Sequence, residues 1–161
     1  MGTDKAWARM KIAVDDLSGP ETAAFLAEHV QEMRSITPPE SKHALDLDGL
    51  RRPEVTFWSV RDEDGALVGC GAIKRLDEGH AEIKSMRTSS ARKRSGVASA
   101  LLAHIVAEAA AAGYTRLSLE TGSADFFAPA RALYAKFGFE YCEPFAHYRR
   151  DPHSAFMTRS L

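Results

Sequence analysis

Glu82-Ile83-Lys84-Ser85-Met86-Arg87-Thr88 and, after a short polar connection, Lys93-Arg94-Ser95-Gly96-Val97-Ala98 open the segment whose reading decides the fold. The first run alternates well enough to be a strand. Behind the second, Val97, Leu101, Leu102, Ile105, Val106 and Ala109 recur at helical spacing, which predicts an amphipathic helix of about four turns. Gly113 stands just past the last periodic residue, where a left-handed helix stop belongs.

The joint between strand and helix carries the chemistry. It holds Arg92, Lys93 and Arg94, then Ser95 and Gly96. Backbone amides at a helix N-terminus lack intrahelical acceptors, and the helix dipole makes that end partly positive. Gly96 lets the backbone approach a ligand closely, and small Ala98 and Ser99 keep the first turn open. Together these features predict an anion site suited to a phosphate.

Composition narrows the function classes. At 161 residues the chain is expected to form one domain, 1–161, with room for a proper core. Hydrophobic residues at 45% and charged residues at 27% are ordinary for a soluble protein. A net charge of −1 argues against a protein built to neutralise a nucleic-acid backbone. Cys70 and Cys142 are far apart, form no C-x-x-C unit and no metal set, and read as buried free thiols. No apolar run approaches a membrane span and no signal peptide is evident, so a cytoplasmic protein is expected.

Along the chain, residues 11–17 read as a first strand and 21–35 as an amphipathic helix, shut off by Pro38-Pro39. A weaker helical piece follows over 40–50. Residues 55–60 and 66–76 read as hairpin strands joined at Asp62-Glu63-Asp64-Gly65, with Gly69 and Gly71 leaving room for a bulge or close packing. After the central strand and long helix, 116–120 is a strand. Asp125 or Ser123 can cap the next helix, whose stripe is Phe126, Ala130, Leu133, Tyr134 and Phe137, with Gly138 as its stop. Residues 139–142 and 155–161 complete the strands, and the last is a candidate dimer edge. This β-α-α-β-β-β-α-β-α-β-β order predicts a mixed α/β sheet with helices on both faces.

Lys93 to Ala98 resembles the Q/R-x-x-G-x-G/A signature with which the GNAT superfamily of acyl-CoA N-acyltransferases holds the coenzyme A pyrophosphate. Lys93 stands where Gln or Arg is usual. Leu133-Tyr134-Ala135-Lys136-Phe137-Gly138-Phe139 is similar to that family's L-Y-x-x-x-G-F signature. Pro38 to Ser41, Leu117 to Gly122 and the Phe145–Tyr148 loop also look like a YsnE-like bacterial branch. The resemblance implies a GNAT-like, mostly antiparallel sheet of about seven strands flanked by about four helices, splayed between its two central strands. It implies acetyl-CoA as co-substrate, no metal, and a primary amine of a small molecule or peptide as acceptor. The cofactor would be held by Met86, Arg87 and Thr88 and by Lys93, Arg94, Ser95, Gly96, Val97, Ala98 and Ser99. Phe127 departs from the pattern, standing where many relatives carry an Asn that contacts the cofactor.

An alkyl ammonium has a pKa near 10.4, so at pH 7 only about one molecule in 2,500 is a neutral nucleophile, and a general base is useful. Glu82 is similar in position to the glutamate base of histone-acetylating family members; otherwise it is a solvated or Lys84-paired strand glutamate. Glu120 is the competing carboxylate and His80 a poorer third. The resemblance assigns the oxyanion to amides around Met86 to Thr88. It assigns the departing thiolate to Tyr134, which otherwise is a core tyrosine. A phenol near 10 donating fully to a thiolate near 8.5 is uphill by about 2 kcal/mol, so Tyr134 would act mainly through a hydrogen bond. Lys84, Arg87 and His147 are basic residues near the acceptor side. They favour an acceptor bearing a carboxylate, unless they are simply solvated cations.

Two function classes stay open. One is an acetyl-CoA-dependent N-acetyltransferase. The other is a non-catalytic acyl-CoA-binding regulatory module, which would keep the phosphate site without base and acid. A nucleotide-binding protein is disfavoured, because neither G-x-x-x-x-G-K-[ST] nor G-x-G-x-x-G is present.

Overall fold

Near-continuous buried runs on β2 and β3 give the sheet two packed faces, and each face is covered by helices. The structure is a computed structural model that describes residues 10–36, 47–89 and 96–161. Its elements in order are β1 (Lys11–Val14), α1 (Pro20–Ile36), α2 (Leu47–Leu50), β2 (Val55–Arg61), β3 (Leu67–Arg75) and β4 (His80–Thr88). They continue with α3 (Val97–Ala111), β5 (Arg116–Gly122), a 3₁₀ turn (Asp125–Phe127), α4 (Ala128–Lys136), β6 (Glu140–Tyr141) and β7 (Ser154–Ser160). Gly113 and Gly138 do end their helices, at φ +96° and +90°, values that a Cβ would strain. The part of the expected 40–50 helix before Leu47 lies outside the described residues.

The strands form one seven-stranded sheet in the order β1-β2-β3-β4-β5-β7-β6. All neighbours are antiparallel except β4 and β5. One face carries Trp58, Val60, Ile83, Leu117, Leu119 and Met157, packed with Leu101, Leu102 and Ile105 of α3 and Tyr134 of α4. The other carries Phe57, Cys70 and Ala72 against Phe25 and Leu26 of α1 and Leu50 of α2. Close packing is why glycine stands at 71. A Cβ there would come within 2.9 Å of Met86 Sδ and 3.0 Å of Ile105.

Two irregularities of β4 matter for the site. Its parallel pairing with β5 covers only His80–Ile83 against Arg116–Leu119, while β4 runs on to Thr88 and β5 to Gly122. The two central strands therefore splay, as expected. Secondly, β4 bulges. Cys70 pairs with Arg87 but Ala72 with Lys84, so Gly71 alone faces Ser85 and Met86, and Ser85 takes φ +57°. The Cys70 thiol donates to the Ser85 carbonyl at 3.2 Å, which gives the bulge an internal partner.

The structure corrects three expectations. The last strand, β7, is not the outermost strand of the sheet: β5 pairs along its length, and the two-residue β6 covers its other side at Met157 and Thr158. β1 stops at Val14, because Asp15 accepts the Leu17 amide at 2.7 Å and turns the chain with Leu17 at φ +66°. Neither Asp125 nor Ser123 caps the helix before Tyr134. A 3₁₀ turn forms there instead, and Ser123 donates to the Pro152 carbonyl. That tighter turn shifts the phase by one residue. Phe127 is therefore buried against Gly122, while Phe126 is 47% exposed.

Candidate active site

The splay leaves β4 beyond Ile83 without a strand partner on its β5 side among the described residues. Backbone groups there are free to pair with an extended ligand, as an added strand would. A few residues on, α3 opens at Gly96, whose φ of +91° places it in the left-handed region. Among the described residues no side chain caps that helix, no acidic residue occupies its first turn, and the Gly96 carbonyl already accepts from Ala100 at 3.0 Å. The amides of Val97, Ala98 and Ser99 are thus available to an anion. Val97 is buried over Gly69, which anchors the turn to the sheet. Lys93, Arg94 and Ser95 lie outside the described residues.

Polar side chains gather on the sheet face that carries α1. Glu82 and Lys84, two apart on β4, share that face. They are 2% and 8% exposed, and Lys84 Nζ lies 3.1 Å from Glu82 Oε2. Tyr148, from the loop between β6 and β7, reaches the same pair. Its hydroxyl donates to Glu82 Oε2 and accepts from Lys84 Nζ at 2.9 Å. Burial first, and then the Glu82 carboxylate, push the Tyr148 phenol up. Rings of His147, Phe145 and Phe156 surround it at centroid distances of 4.9, 5.1 and 5.5 Å. His80 is tied to Ser118 at 2.6 Å, and burial lowers its pKa.

Glu120 sits on β5 one residue past the last β4 pair, at the mouth of the splay. Ser154 donates to its Oε2 at 2.8 Å. Burial dominates nevertheless and raises its pKa to about 7, with Lys84 pulling it down and Glu82 pushing it up. Tyr134 approaches from the opposite face, buried beside Phe139 at 5.8 Å. Burial, and after it the Glu120 charge, raise its pKa. The Glu120 charge pushes up both the Tyr134 and the Tyr148 phenols, in each case after burial. A cavity of about 480 Å³ borders this region only through Ser154 and Phe156. Among the described residues no group of His, Cys, Asp and Glu could hold a metal.

The acetyltransferase (GNAT) family model matches residues 22–139. This chain belongs to that family. It is 56% identical to the uncharacterized N-acetyltransferase YsnE of Bacillus subtilis over 152 residues, 94% of this chain and 100% of that protein. Its fold matches a candidate acyl-CoA N-acyltransferase from Klebsiella pneumoniae at TM-score 0.76 and 30% identity, covering 96% of this chain and 99% of that one. A GNAT acetyltransferase from Elizabethkingia anophelis, solved with acetyl-CoA bound, shares the fold at TM-score 0.63 and 15% identity, over 95% and 99% of the two chains. No helix among the described residues is long and apolar enough to cross a membrane.

Within this family member, the expected residues fall into two groups. Glu82 stands opposite Ser118 just before the splay, Glu120 at its mouth and Tyr134 on the opposite face, whereas Gly96, Val97, Ala98 and Ser99 form the helix mouth. Met86 turns toward α3 over Gly71, and Thr88 pairs with Gly69. Tyr148 is the residue that sequence reasoning missed as a site group. Its only signal was the aromatic density of the Phe145–Tyr148 loop, and its contact with Glu82 spans 66 positions.

Proposed function

We propose that this chain is an acetyl-CoA-dependent N-acetyltransferase. It would work as one cytoplasmic domain over residues 1–161 and act on a primary amine by direct attack. What carries the reading is an α3 N-terminus that is uncapped among the described residues, beside a splayed stretch of β4 that has no partner among them on its β5 side. These two features fit a ligand with a diphosphate at one end and an extended amide-bearing arm. Amides of Val97, Ala98 and Ser99 would take the diphosphate, and the β4 strip from Met86 to Thr88 would take the arm. Bound there, the cofactor supplies an activated acetyl thioester.

The chain's own residues then manage protons. Glu120 is the better proton acceptor for the amine. Its carboxyl near 7 is matched to a neutral working pH, whereas Glu82 Oε2 already serves two donors. Glu82 fixes Lys84 and Tyr148 in place. Tyr134, its pKa pushed up by burial, is a poor full acid and supports the leaving thiolate with a hydrogen bond. Thiol release from acetyl-CoA, followed with a panel of amines, tests the proposal. Release that depends on amine is expected, and its absence across the panel would leave only a binding module.

A further inference from the structure

Arg87 is a nearly buried cation whose only ion pairs among the described residues are long ones. Its side chain is 10% exposed, yet Nε and Nη1 are buried without a hydrogen-bond partner among the described residues. Nη2 reaches Glu28 only at 3.4 Å, and Nη1 stands 3.5 Å from Glu32 without hydrogen-bond geometry. Charge-assisted bonds normally close to about 2.7–2.9 Å. Glu28 is exposed and Glu32 partly so on α1, where such pairs contribute little. What fixes Arg87 is packing: its guanidinium lies 5.0 Å from the Phe25 ring centroid. Donors held rigidly, buried and without acceptors are costly in a finished structure, and they mark a place for an acceptor that arrives with a ligand.

The bulge decides where those donors point. In a regular strand Arg87 would share a face with Ile83, toward α3. The extra residue at Ser85–Met86 reverses the alternation, so Arg87 pairs with Cys70 and joins Glu82 and Lys84 on the α1 face. His29 of α1 adds a second orphan, for its Nδ1 is also buried without a partner among the described residues. Burial and the nearby Arg87 charge lower its pKa to about 4, so it is a neutral imidazole able to donate. From Lys84 to Arg87 the strand rises by at most about 10 Å, and both residues stand on the face of the sheet that carries α1.

We propose that Arg87, with His29, binds a carboxylate on the acceptor, and that the acceptor class is therefore amino acids and related amines that carry a carboxylate. The inference rests on the acetyltransferase reading for the amine, but the anion site itself does not require turnover. Two experiments separate them. In the first, calorimetry with coenzyme A present compares a panel of N-acetyl amino acids with their carboxamides. At least a tenfold preference for the free acid is expected in the wild type, abolished in Arg87→Met and partly kept in Arg87→Lys. In the second, thiol release compares amino acids with their carboxamides, and the acid-to-amide ratio of kcat/KM should fall at least tenfold in Arg87→Met whatever the absolute rates. Equal binding of acid and amide by the wild type, no acid bound at about 10 mM, or a preference that survives Arg87→Met would overturn the carboxylate site. Acid-selective binding without thiol release from any amine would uphold the site and remove the acetyltransferase reading instead.

Discussion

Replacing Glu120 with glutamine removes the carboxylate whose burial at the splay sets it apart from ordinary surface acids. Its pKa rises from 4.5 to about 7 on folding, with desolvation as the main cause. Between those values the folded chain holds a proton there that the unfolded chain has lost. Stability from this group is therefore full below about 4.5 and is lost as pH rises through 7. The displacement corresponds to about 3 kcal/mol, of which about 2–3 kcal/mol falls between pH 5 and 8. His29 opposes it. Its folded pKa is lowered from 6.5 to about 4, so its contribution is present at neutral pH and disappears as pH falls through that window. The two trends offset in the wild type, which is why the variant is informative. Urea unfolding of wild type and Glu120→Gln at pH 5 and pH 8 should show the variant gaining about 2–3 kcal/mol relative to wild type at the higher pH, while its kcat/KM drops. A stability difference independent of pH would refute the account of Glu120 as a buried, basic carboxylate.

Other perturbations separate packing from chemistry. Lys84→Met should cost about 3–5 kcal/mol in denaturant unfolding, because it leaves the Glu82 carboxylate buried without its cation. Adding Glu82→Gln should recover part of that loss. Gly122→Ala would place a Cβ 2.1 Å from the Phe127 ring and should destabilise by about 1–3 kcal/mol, read as a fall in melting temperature. Tyr134→Phe should lower kcat while leaving coenzyme A affinity nearly unchanged; an unaltered rate at saturating cofactor would make Tyr134 a packing residue only.

How far the sequence could be read depends on the range of the interactions involved. The central strand, the long helix and its glycine stop were legible because periodicity and a left-handed glycine are local signals. Topology followed from the order of elements, and two motifs in that order pointed to the family. Two features escaped because their causes are not local. The bulge at Ser85 uses a serine, not a glycine, in the left-handed region, so nothing in the run Lys84-Ser85-Met86-Arg87 marks the change of face. Tyr148 reaches Glu82 only because the loop before β7 folds back over the sheet. The start of α4 failed for a subtler reason, since a 3₁₀ turn shifts the register by one and exchanges Phe126 for Phe127. Glu82 as a Lys84-paired residue had been foreseen as an alternative, and the buried pair is present.

The proposed function depends on the α3 mouth at Gly96 receiving the diphosphate. Calorimetric titration of coenzyme A into wild type and Gly96→Val tests it directly, because a β-branched residue at φ +91° is strained and intrudes on the amides. Binding tighter than about 1 mM in the wild type, weakened at least tenfold in the variant, is the expected result. Equal affinity in both proteins, or no heat from the wild type at millimolar coenzyme A, would contradict it.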